Sequence, residues 1–208
     1  MKVALYGATG KSGSRILKEL VSRGHQVIAI ARNPSKGHEG DVPVRQDDLS
    51  DPQKIAVAVE GADVVVSAYA PPQNEPDAIV GVTRRQVAAL ARGGKTRLVV
   101  VGGAGGLNVA PGVSLVDSGY LPEAYLPIAK AHVKALDVLK ASDTDWTYLA
   151  PAAYFEPGPR TGKFRLGTDE LIANEQQESR ISMEDYAIAM VDELEKGAHR
   201  RQRVSVGY

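Results

Sequence analysis

A chain of 208 residues, 43% hydrophobic and 24% charged, can build one sizeable core but is short for two full domains. Twenty-five Lys and Arg balance twenty-five Asp and Glu, so the formal net charge is zero and gives no basis for a nucleic-acid or anionic-membrane partner. Cysteine is absent, which excludes disulfides, thiolate catalysis and zinc–thiolate sites and makes a reducing, cytoplasmic setting the expectation.

Met1-Lys2 opens directly into an apolar strand, Val3-Ala4-Leu5-Tyr6, rather than into a leader-like segment. Gly7-Ala8-Thr9-Gly10-Lys11-Ser12-Gly13 follows, and then a helical stripe of Ile16, Leu17, Leu20 and Val21 that Gly24 closes. Strand, glycine-rich turn and helix in this order form the element that holds a dinucleotide pyrophosphate. Gly7 permits the turn, Gly10 lets backbone approach the phosphates, and Gly13 lets the helix pack closely on the sheet. Thr9, Lys11 and Ser12 complete the loop that would face the anion.

A second strand spans residues 26–31. The turn after it, Arg32-Asn33-Pro34-Ser35-Lys36, carries no acid before Glu39. An acid at this point would bind the ribose hydroxyls of NAD and repel the extra phosphate of NADP. Arg32, Asn33 and Lys36 instead offer donors to a phosphate, so NADP(H) is favoured, with NAD(H) as the alternative. A short strand near 42–45 leads to Asp48-Leu49, placed to meet the adenine, and to a helix over about 51–59. The apolar run 62–68 reads as a buried strand, 79–92 as a helix, 97–101 as a fifth strand, about 123–141 as a long helix and 146–150 as a sixth strand.

Two stretches, 102–121 and 151–167, are rich in Gly and Pro and read as irregular. Both follow strands, and loops at the carboxyl ends of parallel strands line the ligand crevice, so both are assigned to the substrate side. Ser182 caps a final helix with Glu184 and Asp185 in its first turn, His199-Arg200-Arg201-Gln202-Arg203 reads as a solvated turn, and a strand over about 203–206 is expected at the sheet edge. Alternation of strand and helix predicts an α/β, Rossmann-type doubly wound, mainly parallel sheet in one NAD(P)-binding domain over residues 1–208.

Together Gly7–Gly13, Arg32-Asn33-Pro34, Asp48-Leu49, Asp145-Trp146-Thr147-Tyr148, Pro151 and Ile181-Ser182-Met183-Glu184-Asp185-Tyr186-Ala187 resemble an atypical short-chain dehydrogenase/reductase. Phe155-Glu156-Pro157-Gly158 and Thr161-Gly162 narrow the resemblance to bacterial NAD(P)H–flavin reductases, related to biliverdin reductase B and NmrA-like proteins. The resemblance implies that Ser67, Ala68 and Tyr69 and also Gly102, Gly103 and Ala104 lie along the cofactor. It also implies that Pro151, Ala152 and Ala153 meet the nicotinamide amide.

One departure matters. The Tyr-x-x-x-Lys pair that moves the proton in alcohol–carbonyl chemistry is missing, and Tyr125 and Lys130, five apart, face different sides of a helix. Hydride transfer to a flavin needs less, because solvent can supply the proton and the protein mainly positions the rings. The expected activity is reduction of a flavin or similar planar acceptor, the flavin being substrate rather than resident cofactor. A non-catalytic NADP(H) sensor of NmrA type and a reductase or isomerase of a specific metabolite are the alternatives. Lys130 and His132 are the candidate proton donors, against a bland role as helix-surface residues. Tyr125, Tyr154 and Phe155 are candidates to stack on the acceptor, against simple packing. The four histidines show no ligand spacing, so no metal is expected, and the chain is expected to work as a monomer or weak homodimer on a small-molecule acceptor.

Overall fold

The computed structural model describes residues 1–33, 42–91 and 96–208. Its elements in chain order are β1 (Lys2–Tyr6), α1 (Lys11–Ser22), β2 (Gln26–Ala31), β3 (Val44–Gln46), α2 (Pro52–Ala58) and β4 (Val64–Ser67). Next come α3 (Ala78–Ala91), β5 (Arg97–Val101), β6 (Asn108–Ala110), β7 (Val113–Ser114), α4 (Leu126–Lys140) and β8 (Trp146–Pro151). The chain continues through β9 (Tyr154–Glu156), β10 (Arg165–Gly167), β11 (Arg180–Ser182), α5 (Met183–Lys196) and β12 (Gln202–Gly207).

One eight-stranded sheet runs in the order β10-β12-β8-β5-β4-β1-β2-β3, parallel throughout except for β10. The order reverses at β1, which pairs with β2 on one side and β4 on the other, so a crevice opens at their carboxyl ends. Pleating sends alternate side chains of each strand to opposite layers. Val3, Leu5, Val27 and Ala29 meet Ile16, Leu20 and Met190 of α1 and α5. Ala4, Tyr6, Ile28 and Ile30 meet Ile55, Val82, Leu136 and Leu139 of α2, α3 and α4. With both faces covered, β1 reads as a continuous apolar run, and each large side chain buried there contributes roughly 1.5–3 kcal/mol.

Local chemistry fixes the helix starts. Asp51 accepts the Gln53 N–H at 2.8 Å ahead of Pro52, and Ser182 accepts the Asp185 N–H at 3.0 Å. The long helix divides: Glu123–Tyr125 is a 3-10 turn, and α4 begins at Leu126.

Two expectations are corrected. Stretches 102–121 and 151–167 are not wholly irregular, because they hold the β6–β7 hairpin, β9 and β10. The strand after α5 is not at the edge: β12 lies between β8 and the antiparallel β10, because Val204 and Val206 belong to the α1–α5 core layer. The basic cluster before it is also less solvated than its composition implies. His199 meets Glu193, Arg200 meets Asp145, and Arg203 binds both Asp169 and the Gly106 carbonyl.

Candidate functional site

Built from the backbone up, the crevice begins at the glycine loop. Gly7 has φ +79°, and a methyl there would lie 2.3 Å from the Ala68 carbonyl oxygen, so the loop touches the end of β4. A methyl on Gly13 would lie 2.0 Å from the Gly7 carbonyl oxygen, which explains why α1 can start directly beneath the turn. Gly10 caps α1 without a side chain, its own N–H donating to the Gly7 carbonyl at 2.8 Å. The first helical bond runs from the Ser14 N–H to the Gly10 carbonyl, which leaves the N–H groups of residues 11–13 ahead of the ladder. Thr9, Gly10 and Lys11 are exposed beside them. Helix-start donors, a bare glycine cap and a lysine form a cradle for a diphosphate. Arg15 ties the cradle to the neighbouring helix α5, donating to the Lys11 carbonyl at 2.7 Å and to Glu184 at 2.5 Å.

At the adenosine end, Arg32 is exposed after β2, where the Gln46 amide donates to its carbonyl, and Asn33 is exposed beside it. Lys36, with Pro34, Ser35 and Glu39, lies outside the described residues. The turn after β3 is unusual: Leu49 is buried with φ +62°, a left-handed backbone on a branched residue. Asp47, buried below it, accepts the Leu49 N–H at 3.2 Å and the Tyr6 hydroxyl at 2.9 Å. Asp48 is exposed, and Ser50 holds its carboxylate below the usual range through its hydroxyl at 2.5 Å and its N–H at 3.0 Å. Tyr69 is half-buried at the end of β4. Burial raises its pKa, while Arg32 and Arg85 pull it down and so lie within electrostatic reach. Ser67 is buried with its hydroxyl accepting from the Gln86 amide, so only its backbone edge is open to a ligand.

The nicotinamide end departs further from the expectation. Gly102 and Gly103 are required by their neighbours: methyls there would come within 2.4 Å of the Tyr148 ring and 2.9 Å of His132. The Tyr148 hydroxyl accepts the Gly103 N–H at 2.8 Å and lies 3.2 Å from His132 Nδ1. Burial raises the Tyr148 pKa and pushes the His132 imidazole down to about 4. His132 is thus neutral at pH 7, held against the Tyr148 hydroxyl of β8, and offers no imidazolium to act as a general acid. Lys130, two residues before His132 and turned to another face of α4, is exposed and, among the described residues, has no hydrogen bond or ion pair. Ala104 is half-buried in the 3-10 turn that follows Gly103.

Pro151 and Ala152 are buried, and the exposed Ala153 gives its N–H to the Ser179 hydroxyl at 3.1 Å. Phe155, a candidate to stack on the acceptor, is half-buried and packs its ring 4.7 Å from that of Tyr186, against the α1–α5 core layer. Tyr154 is exposed, with Arg180 over its ring, and Tyr125 is exposed at the start of α4. Glu184 and Asp185 hold structure, as their helix-start position implied. Glu184 accepts the Gly158 N–H, and Asp185 accepts from Thr161, Gly162 and Tyr208. Burial opposes ionisation of Asp185, and these donors together outweigh it and hold its pKa low.

Asp47, Arg85 and Tyr148, none of them singled out as ligands in the sequence, hold the Leu49 turn and the Gly103 backbone in place. For Tyr148 a signal existed: two consecutive glycines after a strand mark a place where something bulky presses on the backbone.

The NAD(P)H-binding family model matches residues 7–196, from the first glycine of the cradle to the last residue of α5. This chain belongs to that family. Among solved structures, a putative exported protein of Burkholderia pseudomallei is 49% identical with a TM-score of 0.92, each chain covered over 100% of its length. A putative epimerase of Bacteroides thetaiotaomicron is 39% identical, TM-score 0.91, covering 100% of this chain and 96% of that one. SP1627 of Streptococcus pneumoniae TIGR4, a putative NADH-flavin reductase, is 35% identical, TM-score 0.91, covering 100% and 99%. Among the described residues no helix is long and apolar enough to cross a membrane.

Proposed function

We propose that the protein is an NADPH-dependent reductase whose acceptor is a flavin or a similar planar molecule, reduced without an acid contributed by the chain. The observation that carries this reading is the state of Tyr148 and His132. The hydroxyl nearest the end of β5 is occupied by the Gly103 N–H, and the imidazole beside it is neutral at pH 7. Neither group is arranged like the lysine-assisted tyrosine that alcohol–carbonyl chemistry needs, whereas a flavin can take its proton from water. The reduced nicotinamide, when bound, supplies the hydride. The chain supplies position: the 11–13 N–H groups and Lys11 hold the diphosphate, Leu49 and Tyr69 wall the base, and the 102–104 and 151–153 backbone flanks the ring. The SP1627 name supports the flavin acceptor. The epimerase name of the Bacteroides relative fits less well, because epimerisation needs an acid–base pair.

Preference for NADPH rests on Arg32 standing where an acid would favour NAD. Purified protein would be assayed for NADPH and NADH oxidation with FMN, FAD and riboflavin as acceptors. Saturable turnover favouring NADPH, with Arg32→Ala weakening NADPH at least tenfold more than NADH, is the expected result. Equal weakening of both coenzymes would remove the case for the phosphate. NADPH binding without turnover would favour the sensor reading, which the same engaged Tyr148 and neutral His132 also suit. Loss of turnover on Lys130→Ala or His132→Ala would favour a metabolite-specific enzyme with one of them as acid. We place the reaction in a reducing compartment, since the chain has no cysteine to exploit an oxidising one.

A further inference from the structure

Arg85 stands on α3 and reaches out of it. Its Nε donates to the Leu49 carbonyl at 2.5 Å, thirty-six residues away in sequence. That bond holds the Leu49 carbonyl while Asp47 holds the Leu49 N–H, so the left-handed residue is pinned through both of its backbone groups. The guanidinium then lies back over its own helix, where a methyl on Gly81 would come within 3.2 Å of Nη1. Among the described residues the Nε bond is the only one Arg85 makes, so the other four guanidinium N–H groups are available, on a half-buried side chain. Leu49 and Tyr69 pack into the same apolar layer, and Tyr69 follows Ala68, the residue whose carbonyl touches Gly7. Arg85 therefore stands at the same apolar layer that borders the diphosphate cradle.

Resting on the coenzyme-binding reading above, we propose that Arg85 is an adenine-positioning residue: it fixes the Leu49 turn and presents its guanidinium to the base, not to the ribose phosphate. The surroundings decide between these two ligands. A planar cation bonded to a buried leucine and within electrostatic reach of a half-buried tyrosine suits a stacked, nitrogen-rich ring. A phosphate needs several convergent donors in open surroundings, and Arg32 with the exposed turn after β2 supplies those. Two arginines would then divide the adenosine half, one for the base and one for the phosphate.

Calorimetric titration of wild type, Arg85→Ala and Arg85→Lys with NADPH, NADH, 5′-AMP and reduced nicotinamide mononucleotide, which lacks the adenosine half, tests the assignment. Arg85→Ala should weaken NADPH, NADH and 5′-AMP by one common factor, about tenfold for a stacked, hydrogen-bonded cation. The mononucleotide should bind unchanged, and Arg85→Lys should recover little because the planar fork is gone. Selective loss of NADPH would make Arg85 a second phosphate ligand and overturn the proposal. Equal loss with the mononucleotide would assign the effect to general damage of the site, and unchanged affinities would remove the role; either overturns it. Failure of the wild type to bind any coenzyme would instead overturn the coenzyme-binding reading, so the two failures are distinguishable.

Discussion

Replacing His132 with asparagine should make the protein more resistant to mild acid. Burial lowers the imidazole pKa from about 6.5 in the unfolded chain to about 4 in the fold. Between those values the unfolded state binds a proton that the native state refuses, so stability falls as pH drops from 6.5 towards 4 and is fully present above 6.5. Linkage over that shift gives a loss of about 2 kcal/mol between pH 7 and pH 5, approaching about 3 kcal/mol below pH 4. Asparagine keeps an oxygen near the position of Nδ1, within reach of the Tyr148 hydroxyl, but does not titrate. Thermal melts of both proteins at pH 7 and pH 5 are the assay. At about 2–4 °C per kcal/mol for a chain of this size, the wild type should lose roughly 4–8 °C more than the variant over that interval. Parallel losses would show that His132 titrates normally. The reasoning that denies it an imidazolium at neutral pH, and with it the solvent-protonated mechanism, would then fail.

Gly13→Ala should abolish coenzyme binding, because the added methyl would meet a carbonyl oxygen at 2.0 Å and can be relieved only by moving α1 off the loop; unaltered NADPH affinity by titration would contradict the close-packing argument. Arg97→Met should destabilise the fold by about 3 kcal/mol, since it leaves Glu193 buried with only His199 opposite it. Pairing it with Glu193→Leu should restore most of that loss, and urea unfolding that finds the single variant as stable as the double would refute the account.

Much of the architecture is legible in the sequence because the central strands are buried on both faces. Val3–Tyr6 and Val64–Ser67 carry no charged side chain, and the glycine spacing announces the cradle. The short strands are a different case. β9 and β11 pair across a 26-residue separation through polar triplets such as Tyr154-Phe155-Glu156, and no local periodicity encodes a partner so far away. β12 alternates like an edge strand, and only its two valines in the α1–α5 layer reveal that it is internal. The cradle and Arg32 could be read residue by residue, because backbone anion sites require glycines at set intervals. Arg85 could not: an arginine on an amphipathic helix is ordinarily a solvent-facing residue, and only the fold brings it to Leu49. Tyr148 sits inside an apolar strand, where a hydroxyl leaves no mark on the periodicity, and only the paired glycines Gly102-Gly103 hint at it.

The insertion of β12 between β8 and β10 has a consequence for biosynthesis. Both neighbours precede it in the chain, so β8, buried along its whole length in the finished sheet, presents an unpaired edge until residues 202–207 have been made. Translation of the intervening fifty or so residues takes roughly 3–10 s. During that interval the nascent chain carries an open, apolar strand edge, and what protects it must come from outside the sheet.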